Sequence, residues 1–310
     1  MHLNVRWYGR GWLYLGLGLL VAVLSVTWAG QRAAQGVRDN LDARLRDAGA
    51  GADAALVTLE AEQLSALRAI TFTQGVGIAV STRDTRTLNR LVTPLQANAD
   101  VPMVDIVTPD GRVLLAVRSK GAPLPVASRA GMPAIAQSLN EARGVRGGRF
   151  SEVVILKTGP VVLTIGPILD AGVPVGTALV MTPLADALGR LSQQVGTDLT
   201  AYDTRGVPIA TTTIYRPRNV LPNDARALIG GGPIITRVVQ GDDREALGRM
   251  IIDHQPVAVL GVTLEDNSWV TGRAVVAYAG IGMIGASLLL AVFWLRVARR
   301  NNDKREAAAK

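Results

Sequence analysis

The chain lacks the residues on which many functional sites depend. Its 310 residues include no cysteine, only two histidines and 4% aromatic residues. The absence of cysteine excludes disulfides, a thiol nucleophile and thiolate-bound zinc or iron–sulfur clusters. His2 and His254 are too few for a histidine-rich metal centre, and so few aromatic rings disfavour a cage for quaternary amines. We therefore predict no metal and no cofactor.

Catalytic motifs are missing as well. The sequence has no P-loop, no nucleophile elbow, no zinc-protease helix and no calcium loop. His254 lies in an Asp-His-Gln-Pro stretch typical of a hairpin turn, which favours a solvated side chain over a catalytic base. Gly75-Val76-Gly77 and Gly230-Gly231-Gly232 lack the strand–loop–helix context of phosphate sites and indicate loops. The sequence thus predicts that the chain is not an enzyme and that any output enzyme lies outside it.

Two long runs without charge account for much of the 48% apolar content. Residues 11–30 and 274–295 are each long enough to cross the hydrocarbon core, which takes about 20 residues of helix. Both runs carry Trp or Tyr near their ends, as in an interfacial belt. Arg6, Arg10 and Thr27-Trp28-Ala29 also fit a cleaved signal peptide, but the length of the first run favours a membrane helix. We predict two transmembrane helices.

The formal charge of +8 is concentrated beside these runs. Residues 1–10 carry +2 and residues 296–310 carry +4, which leaves +2 for residues 31–273. Because short basic flanks stay in the cytoplasm, we expect both termini there and residues 31–273 outside it. The basic flanks indicate contact with the lipid bilayer, and we predict no nucleic-acid partner.

The outer segment begins with helices and continues with strands. Apolar residues at three- and four-residue steps predict a long helix over 31–72 and a second helix over 83–97. The long helix either packs on its own domain or forms a dimer contact that passes motion to the membrane, and the sequence does not separate these alternatives. The predicted strands cover residues 101–107, 112–117, 150–156, 161–168, 173–181, 197–202, 207–212, 234–239, 247–252 and 257–264, and further helices cover 133–142 and 183–195.

A turn of similar chemistry occurs twice. Pro109-Asp110-Gly111 and Asp203-Thr204-Arg205-Gly206 each join two short strands, and the two turn glycines lie 95 residues apart. The strands that follow repeat in a shorter form, which indicates an internal duplication. We predict an α+β fold in which two transmembrane helices flank a long helix and two tandem PAS-like antiparallel-sheet modules.

The predicted divisions follow from these elements. They are a cytoplasmic N-terminus (1–10), a first transmembrane helix (11–30), a helical stalk (31–98), a membrane-distal module (99–195), a membrane-proximal module (196–270), a second transmembrane helix (274–295) and a basic cytoplasmic tail (296–310).

The segments around the turns resemble a known family. VDIVTPDGRVLLAV, GPILDAGVPVGTALVMTPLADALGRL, LTAYDTRGVPIATT and PVAVLGVTLED are similar to the strand–turn–strand and strand-into-helix segments of double Cache sensor domains. The resemblance covers residues 31–270 and implies extracytoplasmic small-molecule sensing by a two-pass receptor of the bacterial cytoplasmic membrane, such as a histidine kinase, cyclase or chemoreceptor. Amino-acid-binding members carry an Arg-x-Trp-Tyr motif, but the matching stretch Arg143–Phe150 contains neither Trp nor Tyr.

Polar residues on or beside the predicted strands are the candidate ligand-binding residues. They are Asp105, Arg118, Arg149 and Lys157 in the first module and Tyr202, Arg237 and Arg249 in the second. A PAS-like pocket lies between a sheet face and the loops or helices that cover it, and a carboxylate ligand needs Arg or Lys donors in such a concavity. The alternative is that these side chains face solvent at alternate strand positions.

Two functions fit the sequence. The first is a transmembrane signal receptor, or the sensor portion of one, that binds a small ligand and transmits the change through its membrane helices. Because residues 296–310 contain no output domain, either the chain is truncated or its output belongs to a partner. We expect a homodimer or a partner membrane or output protein. Gly18-x-x-x-Ala22 and Gly282-x-x-x-Ala286 would allow close helix approach. The second function is a structural or accessory subunit of a membrane assembly that uses the PAS-like modules as interaction surfaces.

Overall fold

The computed structural model describes residues 6–124, 126–144, 147–213, 220–221, 228, 235–238, 244–264 and 296. Residues Arg44–Leu264 form one compact unit, which contains both β-sheets. Within the described residues, no helix is both long and apolar enough to span a bilayer. The predicted membrane segment 274–295 lies outside the described residues, whereas the segment 11–30 belongs to the first helix.

The helices are α1 (Arg6–Thr71), α2 (Val76–Ser81), α3 (Thr85–Asn98), α4 (Pro133–Asn140) and α5 (Leu184–Val195). Helix α1 is continuous over 66 residues and stays helical through the Ala-Gly-rich segment 48–52. Its buried apolar residues around this segment follow helical spacing: Leu45, Ala52, Leu56 and Leu59. Packing of this stripe offsets the low helix propensity of glycine. Gly51 also permits a close approach, because a Cβ there would lie 3.1 Å from Val195 Cγ1 at the end of α5.

The two sheets have the same topology. The first contains β1 (Met103–Val107), β2 (Val113–Arg118), β3 (Phe150–Leu156), β4 (Gly159–Asp170) and β5 (Val173–Pro183), in the order β2-β1-β5-β4-β3. The second contains β6 (Asp198–Tyr202), β7 (Pro208–Thr211), β8 (Ile235–Val238), β9 (Arg244–Ile252) and β10 (Gln255–Leu264), in the order β7-β6-β10-β9-β8. All strand pairs are antiparallel.

This shared topology confirms the predicted duplication. The turn glycines occupy equivalent places, since Gly111 joins β1 to β2 with φ 82° and Gly206 joins β6 to β7 with φ 79°. In each turn the glycine N–H donates to the carbonyl of the residue three positions earlier, Thr108 or Asp203, over 2.8 Å. Glycine adopts this left-handed conformation without the steric cost that a Cβ carries.

Both faces of the first sheet are covered. Val104 and Ile106 of β1 point to one face and pack in a core with residues of α1, α2 and α3. Met103 and Val107 point to the other face and pack with residues of α4. Alternate residues of a strand face opposite sides of a sheet, so the full burial of β1 follows from helices on both sides.

Two of the sheet hairpins close through two-residue loops with positive φ. Ala171 and Gly172 connect β4 to β5 with φ 49° and 82°, and Asp253 and His254 connect β9 to β10 with φ 50° and 62°. Consecutive positive φ values are typical of the type I′ turn, whose twist matches that of the strands. His254 therefore lies in a hairpin turn, as the sequence predicts.

One glycine segment differs from its prediction. Gly75 precedes α2 with φ 91°, but Gly77 lies within that helix and not in a loop. A Cβ on Gly77 would contact the Leu169 carbonyl oxygen, so the helix rests directly on the β4 backbone. The six-residue helix forms because Val76, Ala79 and Val80 are buried there. The segment Gly230-Gly231-Gly232 lies outside the described residues.

Candidate functional site

A buried carboxylate faces two guanidinium groups on the α4 side of the first sheet. Asp105 is fully buried at the centre of β1. The Arg129 side chain donates to Asp105 Oδ2 from Nε over 3.0 Å and from Nη2 over 2.8 Å. Arg118 Nη2 lies 2.5 Å from Asp105 Oδ1, so Arg118 forms a second ion pair with the same carboxylate. The structure thus brings two predicted residues together and adds Arg129, which the sequence does not predict.

Arg118 is only partly satisfied by the protein. Its Nη1 donates to the carbonyl of Val104 over 3.1 Å and to its own strand neighbour Val117 over 2.9 Å. Its Nε and Nη2 are buried and make no hydrogen bond within the described residues. Unsatisfied donors on a buried charge are costly, because the charge loses its hydration without full replacement. Because Nη2 is in ion-pair contact with Asp105, Nε is the donor that is left for a further acceptor.

Arg129 reaches Asp105 from the loop that joins β2 to α4, residues 119–132. Its N–H donates to the Gly111 carbonyl over 2.7 Å, and Arg112 and Ser128 form an isolated β-bridge. Most of the loop is exposed, and Leu124 at its tip is 85% exposed. Gly121 and Gly131 have positive φ and lie towards the two ends of the loop. The loop therefore covers Asp105 with the Arg129 side chain, and backbone hydrogen bonds at Ser119, Ala127 and Arg129 hold its two ends to the module.

Glu152 lies on the same face of the sheet at its far edge. It pairs with Leu163 of β4, whose side chain belongs to the core on the α4 side. Burial raises the pKa of the half-buried Glu152 carboxyl above its ordinary value. Its strand β3 is three positions from β1, which corresponds to about 14 Å at the usual strand spacing. Glu152 and Asp105 therefore lie on opposite sides of this sheet face.

Arg149 lies on the opposite face of the first sheet and does not join this cluster. Asp105 pairs with Leu179, which pairs with Ile165, so these three share one face. The next residue of β4, Gly166, therefore faces α1, and a Cβ there would lie 3.0 Å from Arg149 Cγ. The structure therefore does not bring Arg149 and Asp105 together, because alternate strand positions separate them.

Lys157 also stays away from the cluster. It lies in the exposed turn between β3 and β4. The surrounding residues form a tight hairpin in which Leu156 pairs with Gly159. The alternative of a solvent-facing charge therefore describes Lys157 correctly.

The second module contains a compact buried set of polar side chains. The Tyr202 hydroxyl donates to Glu245 Oε1 over 2.7 Å, and Arg237 donates from Nη2 to the Tyr202 oxygen over 3.0 Å and from Nε to Glu245 Oε2 over 2.7 Å. Tyr202 and Glu245 are at most 1% exposed. Burial raises the pKa of the Tyr202 hydroxyl above its ordinary value, and Glu245 raises it further. These three groups bond to one another, whereas Arg249 is exposed and does not join them.

Arg129 and Glu245 could not be predicted from the sequence for the same reason, since each meets its polar partner only in the folded chain. Arg129 lies in a loop without periodicity, 24 residues after its partner Asp105. Glu245 precedes the predicted strand 247–252 and is placed in β9 by its pairing with Thr263 of β10 and Arg237 of β8. A lone Asp or Tyr within an apolar strand is the one available signal, because a buried polar group needs a partner somewhere. Among the described residues, no cluster of acidic or histidine side chains could hold a metal ion.

The fold is shared with solved sensory domains. The ligand-binding domain of the Campylobacter jejuni chemoreceptor Tlp3, in complex with L-valine, matches with a TM-score of 0.51 and 11% identity over 76% of this chain and 97% of that chain. A domain of a Vibrio parahaemolyticus protein assigned to the sensory box/GGDEF family matches with a TM-score of 0.52 and 12% identity over 76% and 98% of the two chains. The extracellular domain of vpHK1S-Z8, assigned as a histidine kinase, gives a TM-score of 0.52 and 12% identity over 76% and 96%.

These matches confirm the double Cache resemblance at the level of the fold. No protein-family model and no curated protein sequence matches the chain. The Tlp3 structure is the ligand-binding domain of a chemoreceptor, and each of the three matched chains is covered almost completely. The chain therefore has the two-module fold of extracytoplasmic sensory domains.

Proposed function

We propose that this protein is a transmembrane receptor, or the sensor portion of one, whose first module binds a small anionic ligand outside the cytoplasm. The observation that supports this proposal is the buried Asp105 with Arg118 and Arg129. One carboxylate faces two guanidinium groups, so the cluster carries one excess positive charge. Excess buried charge is costly unless it is paired, and an anionic ligand would supply the missing partner.

One donor of Arg118 is left for a ligand. Its Nη2 already pairs with Asp105, whereas its Nε is buried without a hydrogen-bond partner among the described residues. A ligand carboxylate would accept from Arg118 Nε, as Asp105 Oδ2 accepts from Nε and Nη2 of Arg129.

Ligand entry requires movement of the loop 119–132. Asp105 is fully buried, and Arg129 of this loop covers it. The two positive-φ glycines towards the loop ends provide points at which the backbone turns freely. A ligand that binds more tightly to one arrangement of the loop shifts the population towards that arrangement. This shift in population would be the signal.

Transmission would run through α1, which packs on this module. The Gln63 side chain donates to the Thr182 hydroxyl over 2.8 Å and accepts from the Thr164 hydroxyl over 2.7 Å. Helix α1 continues from Gln63 towards residues 11–30, where the described side chains of Leu20, Leu24 and Trp28 are more than half exposed. We propose that this segment and residues 274–295 lie in the membrane, that both termini are cytoplasmic and that the receptor is a homodimer or pairs with an output partner.

A calorimetric titration of the intact chain in detergent tests the ligand site. Acetate, succinate and glutarate are titrated into the wild type, into Arg129→Gln and into Lys120→Gln. Lys120 is exposed in the same loop, so the control removes the same charge without touching Asp105. We expect at least one carboxylate to bind, with affinity lowered about tenfold or more in Arg129→Gln and unchanged in Lys120→Gln.

The opposite results decide against the proposal. Absence of binding by every carboxylate, or equal affinity in Arg129→Gln, would remove the ligand site. Stable co-purification with other membrane subunits in that case would favour the accessory-subunit function. Labelling of single cysteines placed in residues 31–273 of this cysteine-free chain tests the topology, and protection from an impermeant reagent at exposed positions would contradict it.

A further inference from the structure

A second cleft lies on the α1 side of the first sheet. It has a volume of about 280 Å³ and lies where the end of α1 and the start of α2 meet the end of β4. We call it the α1–β4 cleft; its principal lining residues are Phe72, Gln74, Ile78, Arg149, Leu169 and Asp170. Because Arg149 is on the face opposite Asp105, this cleft is separate from the site proposed above.

Arg149 provides the cleft with an unpaired cation. Its Nε is buried without a hydrogen-bond partner, and within the described residues no carboxylate lies within ion-pair distance of its guanidinium. Burial lowers the pKa of the Arg149 guanidinium, and the positive charge of Arg68 lowers it further. A partly desolvated guanidinium without a carboxylate attracts an anion.

Apolar side chains surround this cation without being covered. The Phe72 ring centroid lies 4.7 Å from Arg149 Cζ, in cation–π geometry. Phe72, Ile78 and Leu169 are 66%, 60% and 38% exposed, although each lines the cleft. A group of large apolar residues exposed together on a folded domain often marks a binding surface. A ligand with an apolar body would cover them.

Asp170 restricts which anions fit. Its Oδ2 accepts from the Ser81 hydroxyl over 2.9 Å, so the carboxylate is held at the edge of the cleft. A second negative charge on a ligand would lie near this carboxylate and be repelled. A ligand that fits this cleft has one negative charge at Arg149, an apolar part against Phe72 and Ile78, and no second negative charge. A monocarboxylate with a short hydrocarbon chain has these properties.

From this arrangement we infer that the α1–β4 cleft binds small apolar monocarboxylates, with the carboxylate on Arg149 and the hydrocarbon part against Phe72, Ile78 and Leu169. The volume of the cleft is close to the lower end of ligand pockets, about 300 Å³, and so suits a ligand of few heavy atoms. The cleft contacts the last turn of α1 through Thr71 and Phe72. A ligand bound in the cleft would therefore contact α1, the helix that we propose transmits the signal.

Calorimetric titration of the intact chain with butyrate and hexanoate tests the inference, with succinate and butylammonium as comparison ligands. In the Arg129→Gln background, where the site on the other face is weakened, we expect butyrate and hexanoate to bind, succinate to bind more weakly and butylammonium not to bind. Arg149→Gln should weaken butyrate binding about tenfold or more, because it removes the guanidinium–carboxylate pair. Arg143→Gln is the matched control, because Arg143 is exposed on the same connection between α4 and β3.

Two further variants keep the test decisive. Phe72→Ala removes an exposed side chain, so the protein should fold normally and still lose hexanoate affinity. Arg129→Gln weakens carboxylate binding at the site on the other face, so the butyrate binding that remains in this variant reports on the α1–β4 cleft. In this background, butyrate binding that survives Arg149→Gln would overturn the inference, as would the absence of binding by both monocarboxylates. Failure of the first proposal alone leaves the Arg149-dependent result intact, so the two failures are distinguishable.

Discussion

Gly261 of β10 lies against the Glu245 side chain of the neighbouring strand β9. A Cβ at position 261 would stand 2.8 Å from Glu245 Cδ and 3.1 Å from Tyr202 Cε2. Gly261→Ala should therefore displace the buried Tyr202–Glu245–Arg237 set and lower the free energy of unfolding by about 1–3 kcal/mol, as overpacking does. Thermal unfolding measures the loss. Gly248→Ala is the control, since nothing lies within 4 Å of a Cβ there, and an equal loss in both variants would contradict the explanation.

The Tyr202 hydroxyl should make stability depend on alkaline pH. Its pKa is raised in the folded state by burial and by Glu245, whereas the unfolded value is about 10. The stability that the neutral hydroxyl contributes is thus complete below pH 10 and is lost as the pH rises further, because only the unfolded chain ionises easily. Tyr202→Phe should lose about 2 kcal/mol at neutral pH, from two hydrogen bonds with charged groups. The melting-temperature difference between the two proteins should narrow from pH 9 to pH 11, and a constant difference would refute this.

Asp105→Asn should be strongly destabilising. The substitution keeps the shape but leaves the buried Arg118 and Arg129 without a counter-charge. Breaking one side of a buried ion pair typically costs about 3–5 kcal/mol. Adding Arg129→Gln to Asp105→Asn should recover part of this loss in urea unfolding, because it removes one unpaired charge. Asp100→Asn is the control, as the Asp100 side chain is 87% exposed; a similar loss there would argue against the buried-charge explanation.

Gln63 should contribute more to stability than its neighbour on α1. It is buried and bonds to hydroxyls on two strands, Thr182 and Thr164, and Thr164 also bonds with Ser151. Gln63→Ala removes both bonds and leaves a cavity, with an expected loss of about 2–4 kcal/mol. Glu62→Ala, one residue earlier and exposed, should stay within about 0.5 kcal/mol of the wild type. Equal melting temperatures for the two variants would show that the network is dispensable.

The β4–β5 hairpin offers a stabilising substitution. Ala171 has φ 49°, a conformation in which alanine is strained and asparagine or glycine is favoured. Ala171→Asn creates the Asn-Gly pair preferred in type I′ turns and should raise the free energy of unfolding by about 0.5–1 kcal/mol. Thermal unfolding would detect the increase. A decrease would mean that the Ala171 side chain makes a favourable contact that outweighs the strain.

The sequence predicts the strands well because their boundaries carry turn residues. The strand predicted over 150–156 is β3 itself, and the turns at Gly111 and Gly206 lie where the sequence places them. Helix α2 escapes prediction because its two nearby glycines oppose helix formation locally and only burial against β4 stabilises it. Periodicity reports local preference, and this element depends on a contact about 90 residues away in the chain.

The candidate site is harder to predict for a geometric reason. Asp105 and Arg118 are predicted separately, and the β1–β2 pairing places them on one face. Arg149 was expected to join them, but the register of β4 places it on the other face. A shift of one residue along a strand reverses the face, so the composition of a pocket depends on registers that a single sequence does not determine.

The positions of Gln63 and Glu60 on α1 set a limit on communication between the modules. Gln63 bonds to the first sheet, whereas Glu60 Oε1 accepts from the Asp253 N–H in the β9–β10 hairpin of the second module over 3.1 Å. The two residues are three positions apart, or about 4.5 Å along the helix axis. One turn of helix is thus bonded to both modules, and neither module shifts along α1 without straining or breaking a bond on that turn. A ligand acting through these bonds alone transfers at most their combined free energy, about 1–4 kcal/mol, which corresponds to a change of up to roughly a thousandfold in a two-state equilibrium.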